Sequence, residues 1–316
     1  NANGSFTVTP NPGFSGTASF TYTVTDAGAP APNLTSAAAT VTVTVNGPPT
    51  HFVLATGAAT AACGNLSNPC TLAQALTNIG AAVNRQIFIA DAATHTATVV
   101  LNAGESLTGQ GVTGADFAGV LGYTTAIGTL PAGASFAALP AINQARPTVT
   151  SAGNTVTLST NNTLRGLNLT STGGTTLSGT SFGTLTASAI SITGGLPALN
   201  LNTGTAAATF DSLTATGGAT GVNLNALAGN LTINGGAVSG STSTAFAVTG
   251  GTANVTYAGS IAAGAGVRSV NVANKTAGIV SFTGAVNATG TGISLTTNTG
   301  ATINFTGGIS LSTGAN

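Results

Sequence analysis

GVNLN at 221–225, AFAVTG at 245–250, SVNVAN at 269–274 and GISLTT at 292–297 are four versions of one short apolar unit. Their central apolar residues are evenly spaced: Val222 to Phe246 is 24 positions, Phe246 to Val270 is 24, and Val270 to Ile293 is 23. A second series lies between them, LTINGG at 231–236, NVTYAG at 254–259, IVSFTG at 279–284 and INFTGG at 303–308. Its residues Ile233, Val255, Val280 and Ile303 step by 22, 25 and 23. Two interleaved series with one shared period predict a solenoid of about 23 to 24 residues per coil, each coil holding two or three short strands joined by Gly, Asn, Ser and Thr turns. One such coil buries too few side chains to order its own backbone, so the strands of successive coils must hydrogen-bond along an axis.

Composition narrows the function classes. Of 316 residues only 3% are charged, where soluble domains carry about 25%. Five basic and five acidic groups cancel to zero net charge, so there is neither a polyanion-binding face nor an acidic sink, and nucleic acid is not an expected partner. The 42% hydrophobic content, regularly placed, is the opposite of a disordered composition. No apolar run reaches the roughly 18 residues of a membrane helix, so no membrane insertion is expected. A surface without charge gives little colloidal repulsion and favours association with copies of itself or with neutral surfaces. The chain contains no methionine and no basic-then-apolar leader, and it reads as a mature or excised extracellular piece.

Residues 1–46 are strand-like, with alternating runs at 5–10, 18–26 and 37–46. GSFTVTPNPGFSGTASFTYTVTD at 4–26, followed by ATVTVTVN at 39–46, resembles the second half of the cadherin-like or Ig-like tandem repeats of bacterial surface proteins. The resemblance implies a partial β-sandwich completed by strands from elsewhere, either an upstream segment or a neighbouring copy. Ala18 stands where that family usually has an acid, while Asp26 matches its terminal Asp. Asp26 is therefore the one weak candidate for a metal ligand, calcium by implication, with a turn-forming role as the alternative.

Gly47, Pro48 and Pro49 make 47–50 a stiff linker, and 51–316 reads as the solenoid. Cys63 and Cys70, seven apart in a turn rich in Gly, Asn and Pro, suggest a local disulfide and an oxidising compartment, with two free buried thiols as the alternative. TLAQALTNIGAAV at 71–83 has helical period, with Leu72, Ala75, Leu76, Ile79 and Val83 on one face and Thr71 as N-cap. Before the first coil, at 87–111, such a helix suits an N-terminal cap over the open apolar end. NPCTLAQAL, a short apolar strand and then LNAGESLTGQG resemble the right-handed parallel β-helix proteins of the pectate-lyase-like superfamily, and within it the glycine-rich β-strand-repeat surface proteins of bacteria. Residues 112–148 break the period and carry Pro131, Pro140 and Pro147. They are predicted to form a long side loop, the best candidate for a lateral contact. Coils resume near 149 and run to the last residue.

Enzymes on such folds need clustered acids, and here they are scattered. Between 150 and 316 the only carboxylate is Asp211, and Arg165, Arg268 and Lys275 lie at no single-coil spacing from it. Asp91, His95 and Glu105 share the first coil and can converge, with turn hydrogen bonding as the plainer role. His51 reads as a linker residue. The sequence thus offers no catalytic residue and no cofactor-binding residue, and the chain is not expected to be an enzyme. Ice binding by stacked Thr pairs is disfavoured because the pairs drift between coils. The expected whole is all-β, a right-handed parallel β-helix preceded by a partial Ig-like or cadherin-like sandwich, at the cell surface or extracellular. Its expected role is a structural segment of an adhesin or a self-assembling filament. Its partners are copies of itself, head to tail by strand complementation of 1–46, and possible glycans.

Overall fold

The computed structural model describes residues 16–26, 34–45, 50–122, 139–195 and 197–313. β1 (Gly16–Tyr22) and β2 (Ala39–Val45) form an antiparallel pair in continuous register from Gly16 opposite Val45 to Tyr22 opposite Ala39. The strand read at 5–10 lies outside the described residues. Tyr22, Val24 and Leu34 on this hairpin are exposed.

From Thr50 onward the chain is a parallel β-solenoid of about nine turns. Thr50, read as linker, is already the first residue of β3 (Thr50–Ala58). β3 pairs in parallel with β4 (Gln86–Ile89), which pairs with a later strand at Ser106–Gly109, and that column continues to Thr302–Phe305. A second column starts at β5 (Thr94–Thr96) and a third at β6 (Val99–Val100). Each coil after that of β3 thus contributes to three sheets. The third carries the first periodic series in register, with Val222 opposite Phe246, Phe246 opposite Val270 and Val270 opposite Ile293. The second series needs one correction. Val255 pairs with Leu231 and not with Ile233, which faces Tyr257. Both Leu231 and Ile233 point inward, so either fits an apolar template. With Leu231 the step becomes 24.

The core is the row of inward side chains along the axis. Val99, Val156, Leu177, Leu199, Val222, Phe246 and Val270 of the third sheet are fully buried, as are Ile87, Leu107, Leu164 and Val280 of the first. Each such side chain contributes about 1.5–3 kcal/mol. The cap forms as expected but is shorter. The helix, α1, spans Leu72–Ile79 and not 71–83. Thr71 Oγ1 accepts the Gln74 N–H at 3.3 Å, and Gly80, at φ 56°, ends the helix by donating its N–H to the Leu76 carbonyl. Val83 falls beyond that stop and is exposed. Leu72, Ala75 and Ile79 join the main core with Val53, Ile89 and Val99. The rung of β3 has no strand of its own in the second or third sheet, and α1 packs against β3 and β5 in that place.

The corner after the third-sheet strands from Leu177–Thr180 onward has a fixed conformation. Two residues beyond Gly179, Leu201, Leu224, Val248, Val272 and Leu295 stand Ser181, Thr203, Ala226, Gly250, Asn274 and Thr297, all at φ between 50° and 63°. Left-handed backbone costs a non-glycine residue about 1–2 kcal/mol, and β-branched Thr203 is exposed there. Thr203→Gly is therefore expected to stabilise the protein by about 0.5–1 kcal/mol after the larger entropy loss of glycine. Equal or lower stability in denaturant melts would show that the corner is unstrained.

The next corner position points inward and alternates in size. Phe182 is followed one rung on by Gly204, then Leu227, Gly251 and Lys275. A Cβ on Gly204 would stand 2.6 Å from the Phe182 ring, and one on Gly251 would stand 2.2 Å from the Leu227 carbonyl oxygen. Gly204 thus leaves room for the Phe182 ring, and Gly251, at φ 70°, lets the backbone come close to the rung before it.

The side loop does not extend freely where it is described. α2 (Phe117–Leu121) lies on the outer face of the first rungs, where Phe117 contacts Phe52 and Phe88 at ring separations of 6.0 and 4.9 Å. These rings and Leu121 form a second small core outside the solenoid. Asn143 closes the loop's neck by accepting from Gly114 N–H and donating to its carbonyl, at 3.1 and 3.0 Å. Residues 123–138 lie outside the described set.

One further expectation is corrected. Outward threonines do not drift everywhere. In the second sheet Thr96, Thr150, Thr170, Thr193 and Thr214 are direct register partners over five consecutive rungs.

Candidate functional site

Asp91 sits at the corner between the first and second sheets, just after β4. Its Oδ2 accepts the Ala55 N–H at 2.6 Å, and its Oδ1 accepts the Ala93 N–H at 3.0 Å and contacts His95 Nε2 at 2.7 Å. Partial burial opposes the charge, but the Ala55, His95 and Ala93 bonds and the His95 charge outweigh it, holding the carboxyl below its ordinary pKa. His95 occupies an inward position opposite Val149 and is buried. The pair thus stitches β3, β4 and β5 together at one corner.

Glu105 does not join it. Its Oε2 accepts the Asn102 N–H at 2.7 Å and its Oε1 accepts Asn102 Nδ2 at 3.1 Å, while Asn162 Nδ2 bonds the Asn102 and Glu105 carbonyls across the rung. Asp116 Oδ1 accepts the Gly119 N–H at the start of α2. Asp26 Oδ1 accepts the Leu34 N–H at 3.0 Å, and Thr25 and Thr35 hydroxyls meet beside it at 2.8 Å, so its carboxylate closes the hairpin. Among the described residues no three His, Cys, Asp or Glu side chains are grouped as metal ligands.

Asp211 is the carboxylate whose partner the spacing did not reveal. Arg146, at the exit of the side loop, reaches along the axis to form an ion pair with it through Nη2, and donates from Nη1 to Ser191 Oγ at 3.1 Å. The two residues are 65 positions apart, on either side of the loop's return. With this pair, each of the five carboxylates of the chain is engaged within its own fold.

Cys63 and Cys70 are disulfide-bonded and buried. Asn78 of α1 donates from Nδ2 to both sulfurs, at 3.6 and 3.5 Å, and to the Cys63 carbonyl at 3.3 Å. His51 is no linker residue. It lies in β3, and its ring packs beside Gly64 and the disulfide. Burial, and then the charge of Arg85, lower its pKa.

Lys275 is fully buried at the corner, donating from Nζ to the Ala253 carbonyl at 2.9 Å. Burial lowers its pKa from the ordinary 10.5. The unfolded chain therefore holds more protons than the folded one just below pH 10.5, and stability is expected to rise with pH through that window. Burial raises the Tyr257 phenol instead, so stability falls again above about pH 10, where an unfolded tyrosine ionises. Denaturant midpoints at stepped pH check this, and a slope that persists in Lys275→Met would locate the titration elsewhere.

Near the last coils a shallow groove of about 380 Å³ is lined by Ser239, Ala263, Asn287, Thr289 and Ser310 among others, with no titratable side chain in its wall. No helix among the described residues is long and apolar enough to cross a membrane.

The antiparallel pair with its Asp26 closure is the described part of the segment that comparison with known proteins identifies. Residues 1–46 match the family model of the bacterial Ig domain. The Ig domain match ends just before the solenoid begins. No curated protein and no solved structure matches the chain. The pectate-lyase-like resemblance of 51–316 has no family match behind it, and the parallel β-solenoid is what stands.

Proposed function

We propose that the chain is an extracellular structural segment, a rigid β-solenoid spacer in a bacterial surface adhesin or surface filament, and not an enzyme. The observation that carries this reading is the continuity of the stack. Among the described residues three parallel sheets run through about nine turns with only local register shifts, directly after a segment that matches the bacterial Ig domain. Bacterial Ig domains are often extracellular, and the disulfide fits an oxidising compartment. The carboxylates support it too, since each is tied to a backbone N–H or to Arg146. A rod of this kind holds whatever flanks it at a fixed separation, about 4.8 Å per coil.

Electron microscopy of native material carrying the full chain tests the reading. Straight rods of uniform length, alone or repeating along an axis, are the expected result. Compact particles, or turnover of a neutral polysaccharide by the full chain, would remove it. The uncharged groove at Asn287, Thr289 and Ser310 favours glycan binding as a second reading, which a glycan array with an Asn287→Ala control decides.

A further inference from the structure

The second sheet presents a regular array of hydroxyls to solvent. Along five rungs its outward positions are Thr94 and Thr96, Thr148 and Thr150, Asn168 and Thr170, Ser191 and Thr193, Ser212 and Thr214, each pair facing the next in register. Between the two members of each pair lies a buried residue, His95, Val149, Leu169, Ile192 or Leu213, which fixes the strand in the core. One row consists wholly of threonine.

We propose that this face is an ice-binding surface, with Thr96, Thr150, Thr170, Thr193 and Thr214 as its centre. The two repeats of the array are about 4.8 Å along the axis and about 6.6 Å along each strand, comparable with oxygen repeats on faces of hexagonal ice. Threonine is suited to this because its branched Cβ restricts χ1, so successive hydroxyls and methyls take a common orientation. None of the five threonine hydroxyls is engaged within the described residues, so each is available to water. In the other row Ser191 Oγ takes a bond from Arg146, which with Asp211 marks the charged edge of the face. No side chain in either row is charged or aromatic, so the face has no platform on which a sugar ring would stack. Ordered water is the lattice that a rigid, neutral array of hydroxyls and methyls complements. The inference does not depend on whether the rod belongs to an adhesin or a filament.

The test is partition of the full chain into slowly growing ice, with crystalline chitin and cellulose as parallel surfaces. The intact chain is expected to enter the ice. Thr170→Tyr and Thr193→Tyr should each reduce that partition by at least about tenfold, roughly 1.4 kcal/mol. Both positions are outward in strands that accept tyrosine, and unchanged circular dichroism confirms folding. Thr256→Tyr, outward on the first sheet, should leave partition intact. Exclusion of the intact chain from ice overturns the proposal, as does equal loss in Thr256→Tyr. Binding to chitin or cellulose that the second-sheet variants abolish, without ice partition, assigns the face to a polysaccharide lattice and overturns it equally.

Discussion

Phe246→Ala is expected to destabilise the coils around it by about 3–5 kcal/mol, the cost of removing a fully buried ring from a packed core. The ring lies where the third sheet meets the first, 5.1 Å from Tyr257 and 5.3 Å from Phe282, which in turn stacks on Phe305 at 5.0 Å. Its loss leaves a cavity that backbones hydrogen-bonded on both sides cannot close. Because each coil touches only its neighbours, the damage is local. Amide exchange is expected to accelerate most at 222–224 and 270–272, the register partners on either side, and least in the capped first coils. A loss below about 1 kcal/mol would mean that the site collapses and that the aromatic chain is not a structural ladder.

Opening the Cys63–Cys70 bridge is expected to cost about 2.5 kcal/mol, from the chain-entropy estimate for a short loop. The consequence should be confined to the cap. Asn78 donates to both sulfurs, and Cys70 bridges to Val53 and Ala58 of β3, so the bridge fixes α1 against the first rung. In a Cys63→Ser, Cys70→Ser double variant, exchange should rise over 50–80 and stay unchanged beyond 198. If protection were lost along the whole stack, the cap would be the nucleus of the fold. If none were lost, the helix would hold its seat by Leu72, Ala75 and Ile79 alone.

The third sheet was legible in the sequence because its inward residues are large, apolar and evenly spaced, with Val222, Phe246, Val270 and Ile293 as the clearest case. The first sheet was legible only to within one inward step, because Leu231 and Ile233 both face the core. The second sheet was hardly visible. Its strands are as short as Gly236–Val238 and its inward residues include Ala215, Ala263 and Ala288, which carry little hydrophobic signal. The threonine row was hidden by uneven steps. From Thr96 to Thr150 is 54 residues, because the side loop intervenes, and the later steps are 20, 23 and 21. Asp91 and His95, four apart, were readable as a pair, whereas nothing in the sequence links Arg146 to Asp211, 65 positions further on.

The alternation of Phe182, Gly204, Leu227, Gly251 and Lys275 along one corner gives the stack a parity. Deleting or duplicating one coil in this region brings two bulky residues, or two glycines, onto adjacent rungs, whereas removing or adding two restores the sequence of sizes. Through these rungs the rod can therefore change length by recombination most easily in steps of two coils, 45 residues from Phe182 to Leu227 or 47 from Gly204 to Gly251.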